Sequence, residues 1–345
     1  MFDIKDYDYK LPAELIAQIP VKDRDKSKLM VLYRNMEIWE DSFFFKLPKY
    51  LKKGDLLIVN NSKVIPSRLY GKKETGGKVE ILILDNKGNI RTCLLKSSKR
   101  PKPGSIITFE NGLLGRVEEL LDNGKVKMKF EYDGDFNKYL EQKGYLPLPP
   151  YIKRDKDHPF YKIDKERYQT IFAKEEGSVA APTAGLHFSP RLIQMLSDVG
   201  ARIAHVTLHV SYGTFKPVRV KDIRSHNIGE EYFHIPKETA YLINEAKRSG
   251  RRVIAVGTTV VRTIETVAKE KGIVVETEGF TNLLITPGFR FKVVDALITN
   301  FHLPKSSLLF LVAAFAGLDF IKKAYKHAIN KRYRFYSYGD AMFIQ

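Results

Sequence analysis

The chain has 345 residues, enough for about two domains, and its 43% hydrophobic and 28% charged residues exclude long disordered or low-complexity stretches. Its 58 Lys+Arg against 40 Asp+Glu leave a net charge of +18, a field that attracts polyanions (RNA, DNA, an anionic membrane surface) or simply aids solubility, and that does not choose among these. Cys93 is the single cysteine, which excludes intramolecular disulfides and cysteine-rich zinc sites and fits a reducing compartment.

The first residues, Met1-Phe2-Asp3-Ile4-Lys5-Asp6, lack the apolar core of a signal peptide. No apolar run reaches the length of a bilayer span, and the longest, residues 308–316, reads as a buried helix, so a cytoplasmic protein away from membranes is expected. Pro12 can open a helical turn through Leu15 and Ile16. Gly54-Asp55 precedes an apolar run, residues 56–59, that predicts a buried strand ending at Asn60-Asn61. Such strand ends carry ligand contacts in α/β proteins, and turn formation explains an Asn pair equally well.

From residue 68 to 143 the texture changes to short β-like runs, residues 79–84, 90–95, 106–109, 113–121 and 125–130, which predict a small antiparallel barrel. The turns Asp85-Asn86-Lys87-Gly88, Asn111-Gly112 and Asp122-Asn123-Gly124 supply the positive φ angles of tight hairpins. Lys125, Lys127 and Lys129 alternate with Val126, Met128 and Phe130, placing three ammonium groups on one solvated face. The basic loop of residues 96–104, with Lys96, Lys99, Arg100 and Lys102, suits a phosphate backbone or plain solvation.

Beyond the exit Pro147, Pro149, Pro150, helices and strands alternate: a helix over residues 190–199 stopped by Gly200, a strand over 202–210, a helix over 236–249 stopped by Gly250, and a buried strand over 253–256. The alternation predicts an α/β main domain, residues 1–67 and 146–345, with the barrel, residues 68–145, inserted into it.

Four segments can carry chemistry. In the strand of residues 202–210, His205, Thr207 and His209 share one face, either lining a site or hydrogen-bonded as structural groups, and no cluster nearby completes a metal site. The small-residue stretch of residues 178–188 lets a ligand approach the backbone closely and carries His187, a general acid or base or a satisfied turn residue. At Gly257-Thr258-Thr259 a buried strand turns into a helix whose N-terminus can receive a phosphate or a carboxylate, although Thr at a cap needs no ligand. No dinucleotide fingerprint or P-loop is present. Finally, Tyr333-Arg334-Phe335-Tyr336-Ser337-Tyr338 interleaves cations with rings, which suits a single-stranded RNA loop or a docked tail with buried rings.

Read together, these segments resemble the S-adenosylmethionine:tRNA ribosyltransferase-isomerase family of queuosine biosynthesis over nearly the whole chain. The strings that carry the resemblance include Asp8-Tyr9-Lys10-Leu11-Pro12, Leu15-Ile16-Ala17-Gln18, Thr75-Gly76-Gly77-Lys78-Val79-Glu80 and Gly144-Tyr145-Leu146-Pro147-Leu148-Pro149-Pro150. Further on come Ala180 through Phe188, Thr207-Leu208-His209-Val210, Gly257-Thr258-Thr259, Asp295 through Pro304 and Tyr338-Gly339-Asp340-Ala341-Met342. The chain departs from the family's usual pattern where Asn60-Asn61-Ser62-Lys63 stands for Asn-Asp-Thr-Arg, Ser211 for a Gly, and His226-Asn227-Ile228-Gly229 for His-x-Met-His, so that one histidine is missing at Gly229.

The resemblance implies S-adenosylmethionine as a ribosyl donor and co-substrate, with no prosthetic group and no metal. It implies transfer and isomerisation of that ribosyl group onto 7-aminomethyl-7-deazaguanine at the tRNA wobble position, giving epoxyqueuosine, adenine and methionine, by a monomer. His187, His209, His302, Asp295, Glu230 and Asp340 are the acid–base candidates. Pro182, Thr183, Gly185, Thr258, Thr259, Arg262 and Asn300 are the candidates for holding S-adenosylmethionine, and Lys96, Lys99, Arg100, Lys102 and Arg334 those for RNA. A methyltransferase using the same donor and a non-catalytic tRNA-binding protein are the alternatives.

Overall fold

The computed structural model describes residues 1–85, 88–154, 158–215, 218–268 and 272–345. The chain forms two compact units, one of residues 1–63, 150–175 and 181–345, the other of residues 64–149 and 176–180. In chain order β1 (Lys28–Tyr33), β2 (Ile38–Phe43) and β3 (Leu56–Asn60) precede the short β4 (Ser62–Val64). Then follow β5 (Arg68–Lys73), β6 (Lys78–Ile83), β7 (Ile90–Ser97), β8 (Ile106–Thr108), β9 (Leu114–Leu120) and β10 (Lys125–Glu131). Helices α1 (Phe136–Lys143) and α2 (Tyr161–Arg167) lead to β11 (Glu175–Ser178), α3 (Pro190–Asp198), β12 (Arg202–Leu208) and β13 (Glu231–Ile235). The last third holds α4 (Lys237–Arg248), β14 (Val253–Val256), α5 (Thr258–Val267), β15 (Thr277–Thr281), β16 (Ala296–Asn300), α6 (Ser307–Ala316), α7 (Leu318–Asn330) and β17 (Ala341–Ile344).

The larger unit is built on a nine-stranded mixed sheet of order β15-β13-β12-β3-β14-β16-β17-β1-β2. Strands β12, β3, β14 and β16 run parallel, and β3 and β14, in the middle of this block, are buried at every position, as continuous apolar strands covered on both faces must be. Leu57, Val59, Ile254, Val256 and Ile298 pack on one face against Phe188, Leu192 and Leu196 from α3 and the turn before it. Pro190 opens α3 and Ser189 caps it, and the chain leaves through Gly200 at φ +78°.

The smaller unit is a closed barrel of order β10-β7-β6-β5-β8-β9, antiparallel throughout. Alternation in β10 buries Val126, Met128 and Phe130 and turns the lysines outward. Asn111 and Gly112, and Asn123 and Gly124, take positive φ, as hairpin turns of this kind require. Of the third expected turn, Asn86 and Lys87 lie outside the described residues. The fold class is thus α/β with an antiparallel barrel. Strand β5 was not signalled, because Arg68-Leu69-Tyr70-Gly71-Lys72-Lys73 has only one side chain buried. The strand expected over residues 202–210 ends at Leu208, where Asn60 takes over the hydrogen bonds of the Leu208 backbone.

Candidate active site

The carboxyl ends of the four parallel strands converge, the usual place for a ligand in an open α/β sheet. At the end of β3, the Asn60 carboxamide clasps the Leu208 backbone, accepting from its N–H at 3.1 Å and donating to its carbonyl at 2.9 Å. At the end of β14 the chain turns through Gly257 at φ +99°, a conformation that favours glycine. Helix α5 then starts without a side-chain cap, whereas Ser189 and Ser306 cap α3 and α6. Its first-turn N–H groups have no intrahelical acceptor and carry the positive end of the helix dipole.

A cleft opens here, lined by Pro182, Thr183, Ala184, Val210, Thr258, Thr259, Thr299, Asn300, His302 and Tyr336 among others. The segment 181–187 forms one wall because its small residues pack tightly. A side chain at Gly185 would meet Thr170 Cγ2 at 2.9 Å, so Gly185 serves the wall's packing and does not itself line the cleft. Among the described residues lining the cleft there is no carboxylate, and His302 is the one imidazole.

Asn300, at the end of β16, is 2% exposed. Its Nδ2 donates to the Tyr336 carbonyl at 3.0 Å and to His187 Nε2 at 3.1 Å. His187 Nε2 must therefore be an acceptor, so the imidazole carries its proton on Nδ1 and donates it to Ser27 Oγ at 2.7 Å. Both amide hydrogens of Asn300 are thus committed, and its Oδ1 has no partner among the described residues. His187, stacked on Phe44 with ring centroids 4.9 Å apart, acts as a fixed prop for Asn300. His302 Nε2 meets the Thr299 hydroxyl at 2.8 Å.

Burial, with the nearby Arg24 and Arg334 charges, pushes the His187 imidazole down to about 3, and burial pushes His302 down to about 3. Both are neutral at pH 7. Below the ordinary value of 6.5 the unfolded chain takes up a proton at each, while the folded chain does not until about pH 3. Their contribution to stability is whole above pH 6.5 and is lost as pH falls, at about 1.4 kcal/mol per pH unit for each histidine. Chemical denaturation of His187→Asn between pH 6 and 4 should show a shallower loss than the wild type, by about one proton. Equal slopes would contradict this account.

The other acid–base candidates lie elsewhere. Asp295 precedes β16, about 17 Å from Asn300 at ~3.3 Å per residue, and is held by Lys247 at 2.7 Å and the Val253 N–H at 2.8 Å. Asp340 is buried and accepts the backbone N–H groups of Lys28 and Arg334 at 2.8 and 2.7 Å, tying β1 to the C-terminal segment. Burial raises its pKa against these bonds. Glu230 is exposed. It is Glu231 that points inward with Phe233 and Ile235, accepting the Ser211 N–H at 2.8 Å and pairing with Arg262. The guanidinium of Arg262 is spent on Glu231 and on the Leu283 carbonyl at 3.0 Å, so it braces α5 and is not a free carboxylate contact. The alternation of β13 was the sequence signal for Glu231. His209 is half-buried and stacked on Tyr232, with centroids 5.5 Å apart, next to the cleft residue Val210. Its Nδ1 has no partner among the described residues.

The C-terminal aromatics are a docked tail. Tyr333, Phe335, Tyr336 and Tyr338 are all buried, so no ring is left to stack on RNA, and the Arg334 guanidinium donates to the Ile19 carbonyl. In the barrel, Lys96, Lys99 and Lys102 are exposed, whereas Arg100 is occupied by the Leu121 and Lys125 carbonyls, both at 2.8 Å. The family departures are accommodated locally. Asn61 Oδ1 accepts the Thr207 hydroxyl at 2.8 Å, and Gly229 takes φ +79°. Among the described residues no group of three His, Cys, Asp or Glu could hold a metal, and no helix is long and apolar enough to cross a membrane.

Residues 4–344 match the family described as queuosine biosynthesis protein. The chain is 51% identical to the S-adenosylmethionine:tRNA ribosyltransferase-isomerase of Natranaerobius thermophilus, covering 99% of both chains. It is 50% identical to the protein of that name from Aquifex aeolicus, again over 99% of both. Among solved structures, the S-adenosylmethionine tRNA ribosyltransferase of Thermotoga maritima is similar with a TM-score of 0.56 and 38% identity, covering 99% of this chain and 100% of that one.

Proposed function

The chain belongs to the queuosine biosynthesis protein family, and from that membership we propose that the cleft at the strand ends is where it moves the ribosyl group of S-adenosylmethionine onto tRNA. It is an S-adenosylmethionine:tRNA ribosyltransferase-isomerase, a tRNA-modifying enzyme. In our reading the acceptor is the aminomethyl nitrogen of 7-aminomethyl-7-deazaguanine at the wobble position, and the products are epoxyqueuosine in tRNA, adenine and methionine. The observation that carries this reading is Asn300, a buried amide whose donors are both committed and whose oxygen awaits a donor in the cleft.

The roles follow from the lining. The amino-acid carboxylate of S-adenosylmethionine sits at the uncapped start of α5, against Thr258 and Thr259. Asn300 Oδ1 accepts from a hydroxyl or amine of the nucleoside part. The sulfonium acidifies the adjacent C5′ hydrogens, and His302, the one imidazole among the described lining residues, takes one as proton acceptor. In this reading the Nε2 that meets the Thr299 hydroxyl carries the proton and Nδ1 is the acceptor atom. Loss of adenine, attack by the acceptor nitrogen and departure of methionine on ring closure complete the sequence, behind the wall of residues 181–184 that keeps water out.

The enzyme acts as a monomer, with residues 1–67 and 146–345 as catalytic body and residues 68–145 as an inserted barrel whose Lys96, Lys99 and Lys102 meet RNA phosphates. Mass spectrometry of a tRNA bearing the aminomethyl base should show the epoxycyclopentanediol mass, with adenine and methionine released together. Release of S-adenosylhomocysteine would identify a methyltransferase instead, and tRNA binding with no adenine release a non-catalytic protein.

A further inference from the structure

A second cavity of the larger unit, of about 360 Å³, lies between residues 6–10 and one face of α7, near the small end of the ~300–1,000 Å³ range of ligand sites. Its floor is apolar and aromatic, with Tyr7, Tyr9, Ile321 and Tyr325. Its two acids are already paired, Asp6 with the Met1 ammonium at 2.8 Å and Asp8 with Lys305 at 2.6 Å. Its three lysines, Lys10, Lys322 and Lys326, are exposed and make no ion pair among the described residues. Lys322 and Lys326 are four apart on α7 and so share one face. The half-buried Tyr9 ring beside exposed lysines fits a base with its phosphate.

The cavity also touches the cleft, through the cleft residues His302 and Phe301, both of which meet Tyr325. The Tyr9 hydroxyl donates to the His302 carbonyl, and the Tyr325 hydroxyl accepts the His302 N–H at 3.0 Å. The two rings pack edge to face with centroids 5.2 Å apart. Whatever rests on Tyr9 therefore rests on a side chain that helps hold the His302 backbone in place.

We propose that this cavity receives one nucleotide of the tRNA substrate, its base over the half-buried Tyr9 and its phosphate at Lys322 and Lys326, and that filling it seats His302 for reaction. The inference rests on the reading of the chain as a tRNA-modifying enzyme. It explains why an apolar hollow is rimmed by exposed lysines, and it gives the tRNA a second point of contact beside the cleft.

The test is a Lys322→Ala/Lys326→Ala variant of the full chain, compared with the wild type for binding to the tRNA bearing the aminomethyl base and for adenine release. Loss of that one phosphate contact should flatten the dependence of log Kd on log salt by roughly 0.7–0.9. The KM for tRNA should rise about tenfold, while the KM for S-adenosylmethionine stays unchanged. Tyr9→Phe, which keeps the floor and removes only the hydroxyl on His302, should lower kcat at least threefold and leave tRNA affinity unchanged. An unaltered salt slope and tRNA KM in the double variant would overturn the proposal, as would Tyr9→Phe with wild-type kcat. If wild-type protein binds tRNA but releases no adenine, the ribosyl-transfer reading falls, while a flattened slope in the variant would still support the nucleotide site.

Discussion

Replacing Asn300 by Ala should lower kcat/KM for adenine release by about 10²–10³-fold, the usual loss when one preorganised polar contact is removed from a closed site. The folded chain should survive, at a cost of about 1–3 kcal/mol for leaving His187 Nε2 and the Tyr336 carbonyl without their donor. Asn300→Asp separates the two roles. It keeps the shape and an acceptor oxygen but has no N–H for His187 or Tyr336, and its charge faces the Tyr336 carbonyl. It should therefore be no better than the Ala variant at neutral pH. An Asn300→Ala enzyme with wild-type kcat/KM would remove Asn300 from the site, and an active Asn300→Asp enzyme would show that the orientation enforced by His187 is unimportant.

Arg262→Ala should cost about 3–5 kcal/mol of stability, because it strands a buried carboxylate. Arg262 is 6% and Glu231 2% exposed. Besides Glu231, the guanidinium supplies a donor to the Leu283 carbonyl. The pair joins α5 to β13, while Glu265, one turn on, accepts the backbone N–H groups of Lys292, Val293 and Val294 at 2.9–3.1 Å. Helix α5 is thus anchored by two buried charges, and its uncapped N-terminus is held at the cleft by them. A melting temperature lowered by roughly 5–10 °C is expected. The double variant Arg262→Met/Glu231→Leu should recover part of the loss, since neither charge is then left alone. Additive losses in the double variant would mean that the two residues are not coupled as described.

The elements that could be read in advance were those whose signals are local. Pro190 and Gly200 bracket α3, Gly250 ends α4, and the apolar run at β14 followed by Gly257 marks the turn into α5. Much of the cleft was legible for the same reason, since Pro182, Thr183, Thr258, Thr259, Asn300 and His302 all sit on such turns and strand ends. The carboxylates were harder, because their roles depend on direction and phase. Asp295 and Asn300 bracket the same strand, and only the parallel sheet says that the carboxyl end holds the site. Glu230 and Glu231 are adjacent, and one residue of phase decides which is solvated and which is buried against Arg262. In the C-terminal segment, rings alternating with cations describe an RNA-binding strip and a docked tail equally well. Which of the two forms is decided by Asp340 and by β17, whose partners lie far away in sequence.

That last strand has a consequence for how the enzyme is made. The sheet order places β17, residues 341–344, between β16 and β1, so the edge formed by β1 and β2 joins the parallel block only through it. Asn300 itself pairs with Ala341. On the ribosome, β1 and β2 emerge long before β17, the strand that joins them to the block, a separation that slows folding and leaves apolar strands open to a chaperone or to a like chain. The register of Asn300 is thus set by residues synthesised after it, and a nascent chain cannot hold a finished cleft before β17 has emerged.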